Sequence, residues 1–138
     1  MTADPSAKIR DLQGPILVLG ASGFLGANLL HSLLEVRTDV CGTLFHLPAW
    51  RLAGVPEANL AHSDLLVDAN LDALLDRVKP RTVFNCIAYG AYPFEVDGDL
   101  IYETNFNLTA RLLRRLEQRP LACYVHSGSS SEYGEAAG

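Results

Sequence analysis

Short apolar runs alternate with longer amphipathic stretches through most of this chain. Ile16–Leu19 is the first run and reads as a buried strand. Residues 24–36 follow as a helix, with Leu25, Leu29, Leu33 and Val36 along one stripe. Residues 40–45 read as a second strand, and residues 48–56, with the only tryptophan (Trp50), as a loop. A short third strand around Leu60 ends before Asp64. Asp68 or Asn70 is placed to cap a helix over residues 71–78, which Lys79-Pro80 stops. Residues 82–88 are β-branched and apolar and predict a fourth buried strand. A loop rich in Gly, Pro and Tyr covers residues 89–98. Residues 99–118 predict a long helix, with Leu108, Leu112 and Leu116 spaced by four and Pro120 beyond its end. Residues 121–126 form a fifth strand, and residues 127–138 a polar loop.

Strands alternating with helices imply parallel pairing through right-handed crossovers. The fold class expected is α/β, a doubly wound parallel sheet of Rossmann type in the order 3-2-1-4-5, covered on both faces. Its crevice lies at the carboxyl ends of strands 1 and 4, where the chain reverses direction across the sheet. Residues 1–14 are polar, contain Pro5 and lack the apolar centre of a signal peptide. They read as a loose, flexible arm before one domain, 15–138.

Composition narrows the classes. The 138 residues are enough for one domain with a core. Hydrophobic residues at 49% and charged residues at 20% are an ordinary globular balance. The net charge of −5 and the lack of a basic stripe argue against a nucleic-acid partner. Arg111, Arg114, Arg115 and Arg119 cluster at helical spacing and read as a solvated helix face. Cys41, Cys86 and Cys123 lie in or beside apolar runs and read as buried reduced thiols, which places the protein in the cytoplasm. The four histidines are scattered, without metal spacing. No apolar run approaches the length of a membrane span.

The chemistry concentrates at Gly20-Ala21-Ser22-Gly23-Phe24-Leu25-Gly26, between the first strand and the first predicted helix. Gly20 can take a positive φ without a Cβ penalty. A side chain at Gly23 would block an approaching diphosphate, and Gly26 lets the helix press on the strand. The free N–H groups of the first helical turn then face the anion.

This glycine spacing, G-x-x-G-x-x-G, resembles the short-chain dehydrogenase/reductase superfamily, in particular its extended branch of nucleotide-sugar epimerases and dehydratases. The resemblance runs from Ile16 to Gly134. It implies NAD or NADP as cofactor, bound by Gly20, Ser22, Gly23, Phe24, Leu25 and Gly26. Asp64-Leu65 looks like the family's adenine contact, the carboxylate accepting from the adenine amino group. Residues 78–88 are similar to the family's fourth strand, which places Ala88 and Tyr89 beside the cofactor ribose. Asn105 matches the mid-helix Asn. Residues 127–134 resemble the loop that carries the catalytic Ser, with Ser129 or Ser130 as its counterpart and Ser129 preferred. The resemblance implies a sugar-nucleotide or similar small substrate, and a homodimer.

Two features depart from the family pattern. At the end of strand 2 an acid would accept from the ribose 2′-OH of NAD, and a basic residue would accommodate the 2′-phosphate of NADP. Here stand Phe45 and His46, with no acid, so the balance falls toward NADP with His46 as phosphate partner. The family's base is a Tyr-x-x-x-Lys pair, tuned for proton removal. Tyr133 is followed four residues on by Ala137, so it is not that base and matches instead the Tyr-Gly that closes the serine loop. The chain therefore reads as the cofactor-binding part of a longer enzyme, truncated before the later strands and inactive alone. A non-catalytic dinucleotide sensor or interaction module is the competing reading, and a flavin binder using the same crevice a third.

Overall fold

In a computed structural model, residues 4–130 and 134 are described. Five parallel strands form one sheet in the order β3-β2-β1-β4-β5: β1 (Ile16–Leu19), β2 (Val40–Leu44), β3 (Leu60–His62), β4 (Thr82–Asn85) and β5 (Cys123–His126). The expected topology is therefore observed. Helices α1 (Pro5–Asp11), α2 (Phe24–Leu34), α3 (Asp68–Val78), α4 (Gly98–Tyr102) and α5 (Leu108–Glu117) join or flank them. A π turn, Glu103–Asn107, links α4 to α5, so the long predicted helix is continuous but underwound into a wider turn at its middle.

All four residues of β1 are buried, as a central strand covered on both faces requires. Leu17 and Leu19 pack with Leu71, Leu75, Leu112 and Leu116 on the α3/α5 side. Ile16 and Val18 pack with Leu30 and Leu33 of α2 on the other.

Several expectations are corrected. The buried face of α2 is Gly26, Ala27, Leu30 and Leu33, whereas Leu25 is exposed and Leu29 half-buried. Leucines surround this helix, so periodicity alone is ambiguous; the close approach of Gly26 to Gly20 decides its rotation. β4 ends at Asn85 rather than residue 88, because the Asn85 side chain takes the Ile87 N–H (3.1 Å) and bends the chain. The α3 helix starts at Asp68 after Val67, whose side chain forms no cap; the Asn70 side chain instead donates to the Asp64 carbonyl.

The expected loose arm carries α1, whose Ile9, with Leu12 just beyond it, packs against the α2-side core. Arg37 donates to the Ile9 carbonyl (3.2 Å) and to that of Leu12, while Thr82 Oγ1 donates to the Gln13 carbonyl (2.6 Å). Nor are the arginines, the exposed Arg114 apart, a solvated face. Asp68, Asp72 and Asp76 of α3 meet Arg111, Arg115 and Arg119 in a ladder whose shortest contact is 2.5 Å, and these arginines are mostly covered. Matching four-residue spacings on two neighbouring helices produce this ladder.

Candidate functional site

At the carboxyl ends of β1, β2 and β4 lies a crevice of about 330 Å³. This is where a doubly wound sheet holds its ligands, and the volume is of the size that takes small molecules. Gly20, Ser22 and Gly23 line its floor.

The glycine turn is built by sterics. Gly20 has φ +74°, and a Cβ there would lie 2.9 Å from the Cys86 backbone. A Cβ at Gly26 would lie 2.2 Å from the Gly20 carbonyl oxygen. These two glycines hold α2 against β1. At Gly23 a Cβ would meet only the Gly20 oxygen, at 3.4 Å, so folding leaves that space open. Gly23 is also the N-cap of α2, with no side chain capping the helix. The first intrahelical bond there is Ala27 N–H to the Gly23 carbonyl (2.9 Å). The N–H groups of Phe24, Leu25 and Gly26 precede it and have no intrahelical acceptor. Ring and side chain of Phe24 and Leu25 are exposed at the rim, outside the crevice lining.

One element of this turn was not read from the sequence. Buried Thr43 of β2 accepts the Gly20 N–H on its Oγ1 (3.1 Å), and its carbonyl accepts the Ala21 N–H (2.8 Å). The signal was a lone hydroxyl in an otherwise apolar strand.

The β2/β3 side holds Phe45, His46, Asp64 and Leu65. Asp64 Oδ1 accepts the Leu66 N–H (3.0 Å), which turns the chain after β3 and leaves Oδ2 without a partner among the described residues. Leu65 is buried beneath. His46 is exposed, its ring edge-on to Phe45 at 4.4 Å. His62 Nε2–H donates to the Phe45 carbonyl (2.7 Å) and fixes that strand end.

The β4 side is a loop held from behind. Ala88 and Tyr89 line the crevice, with Cys86 and Ile87. Asn105 does not line it; its amide clamps the Tyr89 backbone, accepting the N–H (2.9 Å) and donating to the carbonyl (2.7 Å). The π turn carries this residue, and such turns concentrate at functional sites. Glu95, also unforeseen, lines the crevice and accepts both the Gly90 N–H (2.9 Å) and the Tyr92 N–H (3.1 Å) on one oxygen.

Ser129 and Ser130 are exposed and stand outside the crevice lining. The loop starts at Ser127, whose N–H and Oγ–H both donate to the Asn85 carbonyl (3.0 Å each). Glu132 and Tyr133 lie outside the described residues. Burial pushes the Cys86 thiol above its usual range, a hydrogen bond with Ser127 opposing this. It is therefore a neutral thiol at pH 7. All three cysteines are free, and each is half-buried rather than fully buried. Among the described residues no group of His, Cys, Asp or Glu is gathered as metal ligands would be. No described helix is long and apolar enough to cross a membrane.

A dinucleotide fits this donor set. The cleared space over Gly23 and the unpaired amides suit a pyrophosphate. Asp64 and Leu65 suit an adenine at one end, and the Ala88–Tyr89 backbone borders the other half.

The chain matches WbmG of Bordetella bronchiseptica, solved with NAD and UDP, at TM-score 0.79 and 21% identity, over 94% of this chain and 42% of that one. It matches UDP-glucuronic acid 4-epimerase of Bacillus cereus, solved with NAD, at TM-score 0.70 and 24% identity, over 89% and 42%. L-threonine 3-dehydrogenase of Trypanosoma brucei matches at TM-score 0.71 and 21% identity, over 83% and 36%. The chain thus spans well under half the length of these neighbours, and at such identities they show a shared fold. No curated protein matches in sequence. The sequence profile of the NAD dependent epimerase/dehydratase family covers residues 16–138, and this chain belongs to that family.

Proposed function

We propose that this chain is the dinucleotide-binding part of an enzyme that epimerises or dehydrates a nucleotide sugar. The observation that carries the reading is the open space over Gly23, beside an uncapped helix N-terminus. When bound, the nicotinamide would supply reversible acceptance of hydride from a sugar carbon. The residues here do the holding: the α2 amides take the pyrophosphate, Asp64 the adenine, and the loop clamped by Asn105 borders the nicotinamide half. Ser129 or Ser130 is proposed to hydrogen-bond the reacting oxygen. The neighbours that hold NAD favour that cofactor over NADP. The absence of an acid at the end of β2 had pointed the other way, toward His46 and a 2′-phosphate. A homodimer is supported by the stacked, exposed Tyr102 and Phe106 (ring centroids 5.0 Å apart) on the outer side of the long helix. A reducing, cytoplasmic setting suits the three free cysteines.

The test is fluorescence titration of the full-length protein with NADH and NADPH, followed by incubation with UDP-sugars and product analysis. Binding of NADH with conversion of a UDP-sugar supports the reading. Tight binding without turnover of any UDP-sugar favours a non-catalytic module.

A further inference from the structure

Asn85 is the last residue of β4 and only 2% exposed, in a position where its strand partner is Leu19. Both ends of its amide are engaged. Oδ1 accepts the Ile87 N–H (3.1 Å), and Nδ2 donates to the Tyr124 hydroxyl (3.1 Å). That hydroxyl lies 3.2 Å from His126 Nδ1, within hydrogen-bond distance. The register pairs Asn85 with His126 and Val83 with Tyr124, so the three polar side chains share one face of the sheet. The Asn85 carbonyl also receives the two bonds from Ser127.

An apolar side chain would hold this strand as Leu19 and Val83 do, without a buried amide to satisfy. Burying one is unfavourable unless it is hydrogen-bonded. What the amide adds is geometry. It ties Ile87, in the crevice wall, to Tyr124 of β5, the strand that runs into the serine loop. Asn85 itself does not line the crevice, so any effect on a ligand passes through the wall.

We propose that Asn85 and Tyr124 are positioning residues that fix the Cys86–Tyr89 wall of the crevice relative to the loop beginning at Ser127. The inference rests on the dinucleotide reading. In that reading the adenosine half lies toward β2 and β3 and the pyrophosphate at α2, which leaves the nicotinamide half against this wall.

The test compares NADH with ADP, which lacks the nicotinamide half. Affinities for both are measured by calorimetry on full-length wild-type protein and on Asn85→Leu, Tyr124→Phe and His126→Ala. Asn85→Leu is expected to weaken NADH by about 10-fold, the size of one well-placed hydrogen bond, and leave ADP within about 2-fold. Tyr124→Phe should weaken NADH by about 3-fold, again without moving ADP, and His126→Ala by less. Parallel losses for both ligands would indicate only a damaged fold and overturn the proposal. So would an unchanged ratio of NADH to ADP affinity. If Asn85→Leu does not fold, the ratio in Tyr124→Phe decides alone. A wild-type protein that binds neither nucleotide would bring down the dinucleotide reading, and this inference with it.

Discussion

Replacing Gly23 by alanine separates the ligand's demand for space from the fold's. The residue has φ −74° and ψ 170°, a region any residue adopts. The new methyl meets only the Gly20 oxygen, at 3.4 Å, an ordinary contact. Removing a glycine from the unfolded ensemble stabilises by about 0.4–1 kcal/mol. Alanine is a poorer N-cap than glycine by roughly the same amount. The two offset, so the melting temperature should stay within a few degrees of wild type. Binding should not survive as well. The methyl occupies the approach to the α2 amides, and charge-assisted bonds to such donors contribute about 1.5–3 kcal/mol each. Loss of one such bond weakens NADH by roughly 10- to 150-fold. The assay is NADH fluorescence titration beside a thermal melt of the same sample. A folded Gly23→Ala protein with wild-type affinity would refute the placement of the pyrophosphate.

Gly26→Ala should behave in the opposite sense: its Cβ would lie 2.2 Å from the Gly20 oxygen, and we expect about 2 kcal/mol of destabilisation in a denaturant melt, with α2 displaced from β1. Asn105→Ala removes both bonds to Tyr89, and should raise the NADH dissociation constant about 10-fold while costing the fold roughly 1–2 kcal/mol, measured by titration and melting. Hydrogen bonds from Arg37 and Arg115 hold the Asp39 and Asp72 carboxyls below their usual range. A lowered folded value means that the stabilisation is complete above the unfolded pKa of about 3.9 and disappears as pH falls through the folded one. Melting temperature should therefore be flat from neutral pH to about 5 and drop below about 4, with Asp72→Asn showing a smaller drop. Cys86, a neutral thiol in the crevice wall, should alkylate slowly at pH 7, faster as pH rises, and be protected by NADH when followed by peptide mass spectrometry.

The local signals in this chain were strong, and they proved sufficient for the order of its five strands and of the helices between them, though not for α1. Buried strands announce themselves as apolar runs, and Leu108, Leu112 and Leu116 mark the inner face of α5 because no competing leucine row rivals them on that helix. The glycine spacing carried the turn, since the constraint lies within seven consecutive residues. Asp64, Ala88 and Tyr89 were placed at the crevice by falling just after strands, and the structure puts them there.

Whatever depended on partners distant along the chain had no such signal. The α2 stripe was misassigned because leucines lie all around it, and only contact between Gly26 and Gly20 orients the helix. The arginines of α5 looked solvated because their acids lie on α3, forty-three residues earlier for Arg115 and Asp72. Asn105 was recognised, but its target, the Tyr89 backbone sixteen residues away, emerged only when the π turn and the β4 loop came together. Thr43 and Asn85 passed as ordinary strand residues. A single buried hydroxyl or amide carries no period, and its meaning is set by which strand the sheet places beside it. Periodicity and glycine spacing thus determined the strands, the helices between them and the glycine turn, since these are short-range consequences of backbone geometry. Tertiary packing alone decided which polar groups meet, because those pairings are selected by satisfying buried donors and acceptors across the sheet.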